Sequence, residues 1–242
     1  MPHGLPDWGL EGPKSTTYGL DDLGEHAARL GSPNLWDRRG DVVYISNFSD
    51  GFEAADSYVM GASCNTGLSC GHTRSGAYSI RVGSNGLAGC HSGIELRMPK
   101  PVASRLGAEF SFSQQGEGKI WRIWMNVNDR NRSWYMAVEQ RDATMDLWYL
   151  GFDGLYHRLD AAVNLSMDDL PDQTIKLVVD LKLQQYVRTI FNDQEFPMTG
   201  LRIRDGGGVA NAYWIVRFLL YRQVGDVFDE WVDSVILTQN EP

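Results

Sequence analysis

Cations are scarce in this chain of 242 residues. It carries 22 Lys and Arg against 31 Asp and Glu, which gives a formal net charge of −9, and no run of Lys or Arg exceeds two residues. Binding to nucleic acid or to an anionic membrane surface needs clustered cations, so we expect neither kind of partner. The chain also lacks an apolar run of the roughly 20 residues that a transmembrane helix requires, so we expect no membrane insertion.

A secretory signal peptide is not visible either. The first residues, MPHGLPDWGLEGPK, do not place a basic segment before an apolar one, which is the pattern that a signal peptide requires. We therefore expect a protein that stays in the cell that makes it, leaves that cell by another route, or is represented by its mature form.

Cysteine is the third scarce feature. Cys64, Cys70 and Cys90 are the three cysteines of the chain, and His72 and His91 lie close to them in sequence. Thiolate and imidazole groups suit zinc, but this spacing matches no established zinc finger. Three interpretations stay open: a disulfide among the cysteines, such as Cys64–Cys70; thiols with no special role; or a structural zinc site.

The first 40 residues differ in pattern from the rest. Between residues 20 and 30 four apolar residues have helical spacing, acidic residues occupy the first turn, and Gly31 is placed to end the helix. We predict an N-terminal arm with one short helix over residues 1–40 and a single domain over residues 41–242. The arm either packs on its own domain or docks on a neighbouring subunit.

From Asp41 onwards, strand-like segments alternate with turn residues. About twelve short strands, separated by turns such as Asp153-Gly154 and Asn192-Asp193, are typical of an all-β protein. We predict a two-sheet antiparallel jelly-roll sandwich with an N-terminal arm and one short helix. Apart from three central segments, the candidate strands are 42–48, 77–83, 93–98, 107–113, 155–159, 174–182, 186–192, 212–223 and 230–238.

The three central segments, KIWRIWMNV (119–127), RSWYMAVEQ (132–140) and TMDLWYLG (144–151), follow one another closely. Their side chains alternate between two faces, which predicts an antiparallel meander. One face, with Trp121, Met125, Trp134 and Leu147, is predicted to lie in the core. The other mixes aromatic rings with hydrogen-bonding groups.

Three segments carry a resemblance to known families. HTRSGAYSIRV (72–82) resembles a strand that is common in carbohydrate-binding jelly rolls, and EWVDSVIL (230–237) is similar to the final strand of such modules. The stretch TIKLVVDLKLQQYVRTIFNDQEF (174–196) resembles a hairpin of concanavalin A-like and laminin-G-like sandwiches. The resemblance spans residues 41 to 240 and implies a lectin-like sandwich, without implying a reaction.

The resemblance also implies a candidate calcium site. Jelly-roll modules of this kind often hold a structural calcium between the first strand region and the last, where DGFE (50–53) and WVD (231–233) lie in this chain. Calcium prefers several oxygen ligands. The candidate ligands are Asp50, Glu53 and Asp233, with Asp56 nearby, and the alternative is that these are solvated turn residues. No other cofactor is expected.

The second face of the meander is the candidate binding surface. Aromatic rings can stack on sugars while amide, guanidinium and carboxylate groups bond the hydroxyl groups, but the same residue types are enriched at protein interfaces. A glycan site, a protein contact and a second packed layer therefore stay open. The candidate residues are Arg122, Trp124, Asn126, Tyr135, Glu139, Asp146 and Trp148, together with Arg217 and Tyr221 from the strand at 212–223.

Catalytic patterns are weak. GLSCG (67–71) matches a nucleophile elbow in letters, but no helical pattern follows Ser69, as the elbow requires. Retaining glycosidases of similar sandwiches place paired acids on one strand, and the chain has no E-x-D-x-E segment. Jelly-roll lyases show R-x-E-x-R, whereas IELR (94–97) offers only Glu95 and Arg97. We therefore expect no enzyme.

Three functional hypotheses follow. The first is a non-enzymatic structural or display protein, such as a phage capsid decoration or tail component, on a virion or an extracellular surface. It rests partly on the segment through LWDRRGD (35–41), which resembles N-termini of phage structural proteins. Its expected partners are other protein subunits, copies of itself or capsid and tail proteins, and cell-surface glycans. The alternatives are a carbohydrate-binding module of a secreted protein and a glycan-cleaving enzyme.

Overall fold

The protein is described by a computed structural model, and its described residues form sixteen β-strands. The described residues are 39–52, 54–61, 64–73, 77–85, 91–115, 120–141, 146–160, 173–192, 194–207, 211–221 and 227–242. The strands are β1 (Asp41–Ser46), β2 (Ala55–Met60), β3 (Cys64–Ser69), β4 (Ser79–Asn85), β5 (His91–Pro99), β6 (Arg105–Gln115), β7 (Ile120–Asp129), β8 (Ser133–Arg141), β9 (Asp146–Leu150), β10 (Tyr156–Asp160), β11 (Gln173–Asp180), β12 (Gln185–Phe191), β13 (Gln194–Pro197), β14 (Arg204–Asp205), β15 (Ala212–Tyr221) and β16 (Val227–Gln239).

The strands form two antiparallel sheets. The first sheet has the order β13-β12-β11-β6-β16-β4-β3, with β1 also paired to β16. The second sheet has the order β10-β9-β8-β7-β15-β5-β2, with β14 also paired to β8. Both sheets interleave strands from distant parts of the sequence, which is the topology of a jelly-roll sandwich. The predicted fold class, a two-sheet antiparallel sandwich, is confirmed.

The core lies between the inner faces of the two sheets. Phe112 of the first sheet contacts Trp121 and Phe218 of the second, with ring centroids 5.5 and 5.0 Å apart. The ring of Trp121 also stacks on Phe191, at 5.7 Å. Aromatic pairs at these distances contribute beyond the area that they bury. The central strands therefore alternate because one face of each must meet the opposite sheet.

The predicted meander is confirmed. Strands β7, β8, β9 and β10 pair consecutively and antiparallel. The four residues predicted to lie in the core, Trp121, Met125, Trp134 and Leu147, are all buried in it. Alternation was sufficient here because apolar side chains recur at every second position from Trp121 to Val127 in β7 and from Trp134 to Val138 in β8.

Four strands have no counterpart in the sequence prediction, namely β2, β3, β13 and β14. Strand β3 reads CNTGLS, and Gly and Asn are depleted in strands. Strand β13 contains Pro197, which an edge position tolerates. These strands lie at sheet edges or are very short. Their sequences therefore show little of the alternation between apolar and polar side chains that burial of one strand face produces.

The predicted arm covers residues 1–40, and residues 1–38, which include the predicted helix, lie outside the described residues, so the domain prediction stays a prediction. Among the residues that the structure describes, no helix is long and apolar enough to cross a membrane.

Candidate functional site

The outer face of the second sheet carries most of the predicted binding residues. Strand register places Arg122 beside Glu139, Glu139 beside Trp148, and Trp124 beside Arg217. Strands β5, β2 and β10 extend this face on both sides. We call it the arginine–aromatic face, and its main members are Tyr58, Glu95, Arg97, Arg122, Trp124, Tyr135, Glu139, Arg141, Trp148, Tyr156, Arg158 and Arg217.

A first ion-paired triad forms around Glu139. Arg122 donates from Nε and Nη2 to Oε2, at 3.0 and 2.6 Å. Arg141 donates from Nε and Nη2 to Oε1, at 2.8 and 2.6 Å. The Glu139 side chain is 0% exposed. Each carboxylate oxygen thus receives one guanidinium, an arrangement that fixes both arginines in orientation.

A second triad of the same composition forms around Glu95. Arg217 donates from Nε to Oε2 at 2.6 Å, and its Nη2 lies 2.5 Å from the same oxygen. Arg97 donates from Nη2 to Oε1 at 2.9 Å. Because β5 and β15 are adjacent, Arg217 supplies from a neighbouring strand the second arginine that the local sequence around Glu95 lacks.

Aromatic rings lie against the guanidinium groups of both triads. Arg217 lies over the rings of Tyr58 and Trp124, 4.5 and 4.6 Å from their centroids. Arg141 lies 4.0 Å from the centroid of Trp148. Cation–π contacts of this kind hold the rings and the charges in fixed relative positions. Trp124 and Trp148 therefore form a preorganised pair of platforms.

Asn126 belongs to this face, but its side chain is buried and hydrogen-bonds to neighbouring residues of the protein. Its Nδ2 donates to the carbonyl of Trp134 at 3.2 Å, and its Oδ1 accepts from Asn128. Asn128 in turn accepts from the hydroxyl group of Ser133. All three residues are buried, so this chain of hydrogen bonds joins β7 to β8.

Two titratable groups next to Arg122 have shifted pKa values. Burial, and then the charge of Arg122, lower the pKa of His91. Burial raises the pKa of Tyr156. At neutral pH the face therefore presents a neutral imidazole and a protonated phenol beside its arginines.

The structure gathers most of the predicted residues and adds others. Asp146 also lies on this side and is bound by Arg158 at 2.8 Å. Tyr221 is in register with His91, and nothing is described of its side chain. Sequence reasoning missed Tyr58, Arg141 and Tyr156. Alternation within VEQR could have indicated that Arg141 lies on this face. Tyr58 and Tyr156 lie on it because of strand pairings that no local pattern reveals.

The cysteine prediction is corrected in one respect. Cys64 is disulfide-bonded and Cys70 is a free, exposed thiol, so the suggested Cys64–Cys70 pair is wrong. Strand β3 separates the two by about 20 Å of extended chain, whereas a disulfide joins Cα atoms less than about 7 Å apart. Cys90 lies outside the described residues.

The candidate metal ligands are dispersed. His72 packs on Trp231 in the first sheet, with ring centroids 4.1 Å apart, whereas His91 belongs to the second sheet. Asp50 is exposed, Asp233 is buried, and Glu53 lies outside the described residues. Among the residues that the structure describes, no three His, Cys, Asp or Glu side chains are grouped as a metal would require. Calcium and zinc stay predictions.

A separate shallow cavity of about 310 Å³ lies at the turn between β9 and β10. His157 Nε2 lies 3.0 Å from both carboxylate oxygens of Asp153, and this hydrogen bond lowers the pKa of Asp153. Both side chains are about half exposed. Arg202 lies over the ring of Phe152 at the same rim.

No family model matches the sequence, and no curated protein is significantly similar to it. Solved structures with similar folds include a carbohydrate esterase from Shiga toxin-encoding bacteriophage phi24B, with a TM-score of 0.53, 12% identity, and coverage of 84% of this chain and 100% of that one. An endo-β-1,4-glucuronan lyase from the fungus Trichoderma reesei has a TM-score of 0.53 and 9% identity, covering 82% and 95%. A protein of unknown function with a galectin-like fold from Bacillus subtilis has a TM-score of 0.54 and 9% identity, covering 83% and 97%.

These similarities define the fold class. The chain has a jelly-roll sandwich of the concanavalin A-like and galectin-like kind, as the strand motifs predicted. At 9 to 12% identity the similarity concerns the fold alone. Function has to be argued from the arginine–aromatic face itself.

Proposed function

We propose that this protein is a non-enzymatic structural or display protein whose lectin-like sandwich binds glycans through the arginine–aromatic face. The observation that carries the proposal is the pair of half-buried tryptophans, Trp124 and Trp148, each held beside a guanidinium group. Aromatic rings of this kind stack on the C–H surface of a sugar, while neighbouring N–H donors bind its hydroxyl groups. Preorganised side chains lower the entropy that binding costs.

The two glutamates of the face favour recognition over cleavage. Glu95 and Glu139 each accept hydrogen bonds from two arginines, so their oxygens are committed to holding the face together. A glycosidase acid or nucleophile has to reach the scissile bond with one oxygen.

The proposed location is a virion or another extracellular surface, where the arm at residues 1–40 would bind neighbouring subunits. The disulfide at Cys64 supports an oxidising environment, because disulfides persist mainly outside the cytosol. A bacteriophage protein also stands among the similar folds. Light scattering of the full chain tests the subunit contacts: assemblies larger than one chain are expected, and a strict monomer at high concentration would count against them.

A glycan array tests the binding function. Wild type is expected to bind a defined set of glycans, and Trp124→Ala is expected to weaken that binding by about tenfold or more, since the related stacking of a nucleic-acid base on one aromatic ring is worth on the order of 1–3 kcal/mol. Tyr78→Ala is the matched control, because Tyr78 is an exposed aromatic next to the first sheet. An array without hits, or equal binding by wild type and Trp124→Ala, would refute the proposal.

A glycan-cleaving enzyme is the second candidate function. One observation favours it: the neutral imidazole of His91 and the protonated phenol of Tyr156 both lie close enough to Arg122 to feel its charge. Tyr156, whose ring centroid lies 4.6 Å from the guanidinium carbon of Arg122, could serve as the acid. Release of reducing ends from a bound glycan, lost in Tyr156→Phe while binding persists, would establish cleavage. Binding without release supports the first function.

A further inference from the structure

The arginine–aromatic face differs in charge from the rest of the molecule. Among the described residues, strand register places six arginines and four carboxylates on it, which gives a local formal charge of +2. The whole chain carries −9. The arginines are Arg97, Arg122, Arg141, Arg158, Arg204 and Arg217, and the carboxylates are Asp56, Glu95, Glu139 and Asp146.

Two of these arginines, Arg97 and Arg158, can donate hydrogen bonds to a further acceptor. Arg97 gives one nitrogen, Nη2, to Glu95, and Arg158 gives Nη2 to Asp146. A guanidinium has five N–H donors in a planar fork, so each retains donors beyond its ion pair. The Arg97 and Arg158 side chains are 61% and 51% exposed, respectively, which leaves them accessible to a ligand.

The spacing of these arginines indicates an extended ligand. Arg97 lies on β5 and Arg158 on β10, five strand positions apart in the second sheet. At about 4.8 Å per strand, the two lie roughly 24 Å apart across the face, with the tryptophan platforms between them. A single sugar cannot reach both arginines, whereas a polysaccharide chain lying across the strands can.

We propose that the face binds an acidic polysaccharide whose sugar units carry carboxylate groups. This inference rests on the proposed glycan-binding function and specifies its ligand class. Planar guanidinium groups match carboxylates in a two-pronged geometry, and the aromatic rings accept the uncharged surface of the same sugars. A nucleic acid is disfavoured because the remainder of the molecule is strongly acidic and would repel a polyanion that extends past the face.

The test is a titration of the full chain with polygalacturonate, with the same polymer after its carboxylates have been reduced to alcohols, and with dextran sulfate. Wild type is expected to bind polygalacturonate at least about tenfold more tightly than the reduced polymer, the factor that one charge-assisted hydrogen bond supplies. Dextran sulfate is expected to bind more weakly than polygalacturonate. Equal binding of dextran sulfate would indicate non-specific attraction and overturn the carboxylate assignment.

Variants of the exposed arginines complete the test. Arg97→Gln and Arg158→Gln are each expected to weaken polygalacturonate binding by about tenfold and to weaken binding of the reduced polymer by a smaller factor. The control is Arg81→Gln, because Arg81 is 48% exposed and ion-paired to Asp229 on the first sheet. Unchanged far-ultraviolet circular dichroism confirms folding of each variant.

The outcomes separate the two proposals. Equal binding of the acidic and the reduced polymer, with loss in Trp124→Ala, would overturn the acidic class and leave glycan binding standing. Absence of binding to any polymer or array glycan would overturn both.

Discussion

At the residue scale, Glu139 is the group on which the arrangement of the face depends most. Its carboxylate is fully buried and lies between Arg122 and Arg141, which are themselves 18% and 33% exposed. Removing one partner from a buried ion pair costs more than removing a surface pair, because the remaining charges stay partly desolvated. The two arginines here keep some contact with solvent, which reduces that cost.

We expect Glu139→Gln to lower the free energy of unfolding by about 2–3 kcal/mol, below the range for a completely buried pair. Urea unfolding at neutral pH measures the change. Asp229→Asn is the control, since its pair with Arg81 is exposed and is expected to contribute at most about 1 kcal/mol. If the two variants lose the same stability, the buried carboxylate does not organise the face.

At the element scale, sequence periodicity predicted the long strands and failed at the edges. Strands β7 and β8 alternate because one face of each packs in the core, so their two faces were assigned correctly. The pairing of β15 with β5 left no local signal, since Arg217 and Glu95 are 122 residues apart in sequence. The meander half of the site was therefore predictable from sequence, and the half around Glu95 required the sheet order.

Strand β3 gives a test of the cysteine assignment. Alkylation of the native protein without reductant is expected to label Cys70, which is free and exposed, and to leave Cys64 unmodified. After reduction under denaturing conditions, Cys64 is expected to be labelled as well. Mass spectrometry of the peptides locates each label, and labelling of Cys64 before reduction would show that it is not disulfide-bonded.

The segment after β16 anchors the chain end on the outer face of the first sheet. Glu241 accepts from Lys176 and Arg188, each at 2.7 Å, and from Thr238 at 2.6 Å. A Cβ atom at Gly107 would meet the hydroxyl oxygen of Thr238 first and would also lie 2.9 Å from Oε1 of Glu241, so this glycine makes room for the hydrogen bond between these two side chains.

We expect Glu241→Gln to destabilise the sandwich by about 3 kcal/mol, because Lys176 and Arg188 lose the carboxylate that lies between them at a buried site. Gly107→Ala is expected to cost about 1–3 kcal/mol through overpacking against the Thr238 hydroxyl group and the same carboxylate. Gly67→Ala is the matched control on a strand, since no atom lies within 4 Å of the added Cβ. Thermal unfolding compares the three variants, and a Glu241→Gln variant as stable as wild type would show that this carboxylate does not stabilise the sandwich.

At the scale of the whole molecule, the pH dependence of stability reflects how titratable groups are buried on folding. His91 has a pKa lowered by burial and by Arg122. The unfolded chain, with a histidine pKa of about 6.5, therefore takes up a proton before the folded chain does as the pH falls. The contribution of neutral His91 is fully present above about pH 6.5 and is lost progressively below it.

We therefore expect the urea midpoint of wild type to fall between about pH 7.5 and about pH 5.5, and to fall less in His91→Gln, which has no imidazole to protonate. His72→Gln is the control, because this exposed histidine follows β3 and packs on Trp231 of the first sheet. An identical pH response in wild type and His91→Gln would place the acid-sensitive group elsewhere. A smaller response in His91→Gln alone would show that protonation of the partly buried His91, beside Arg122, destabilises the fold.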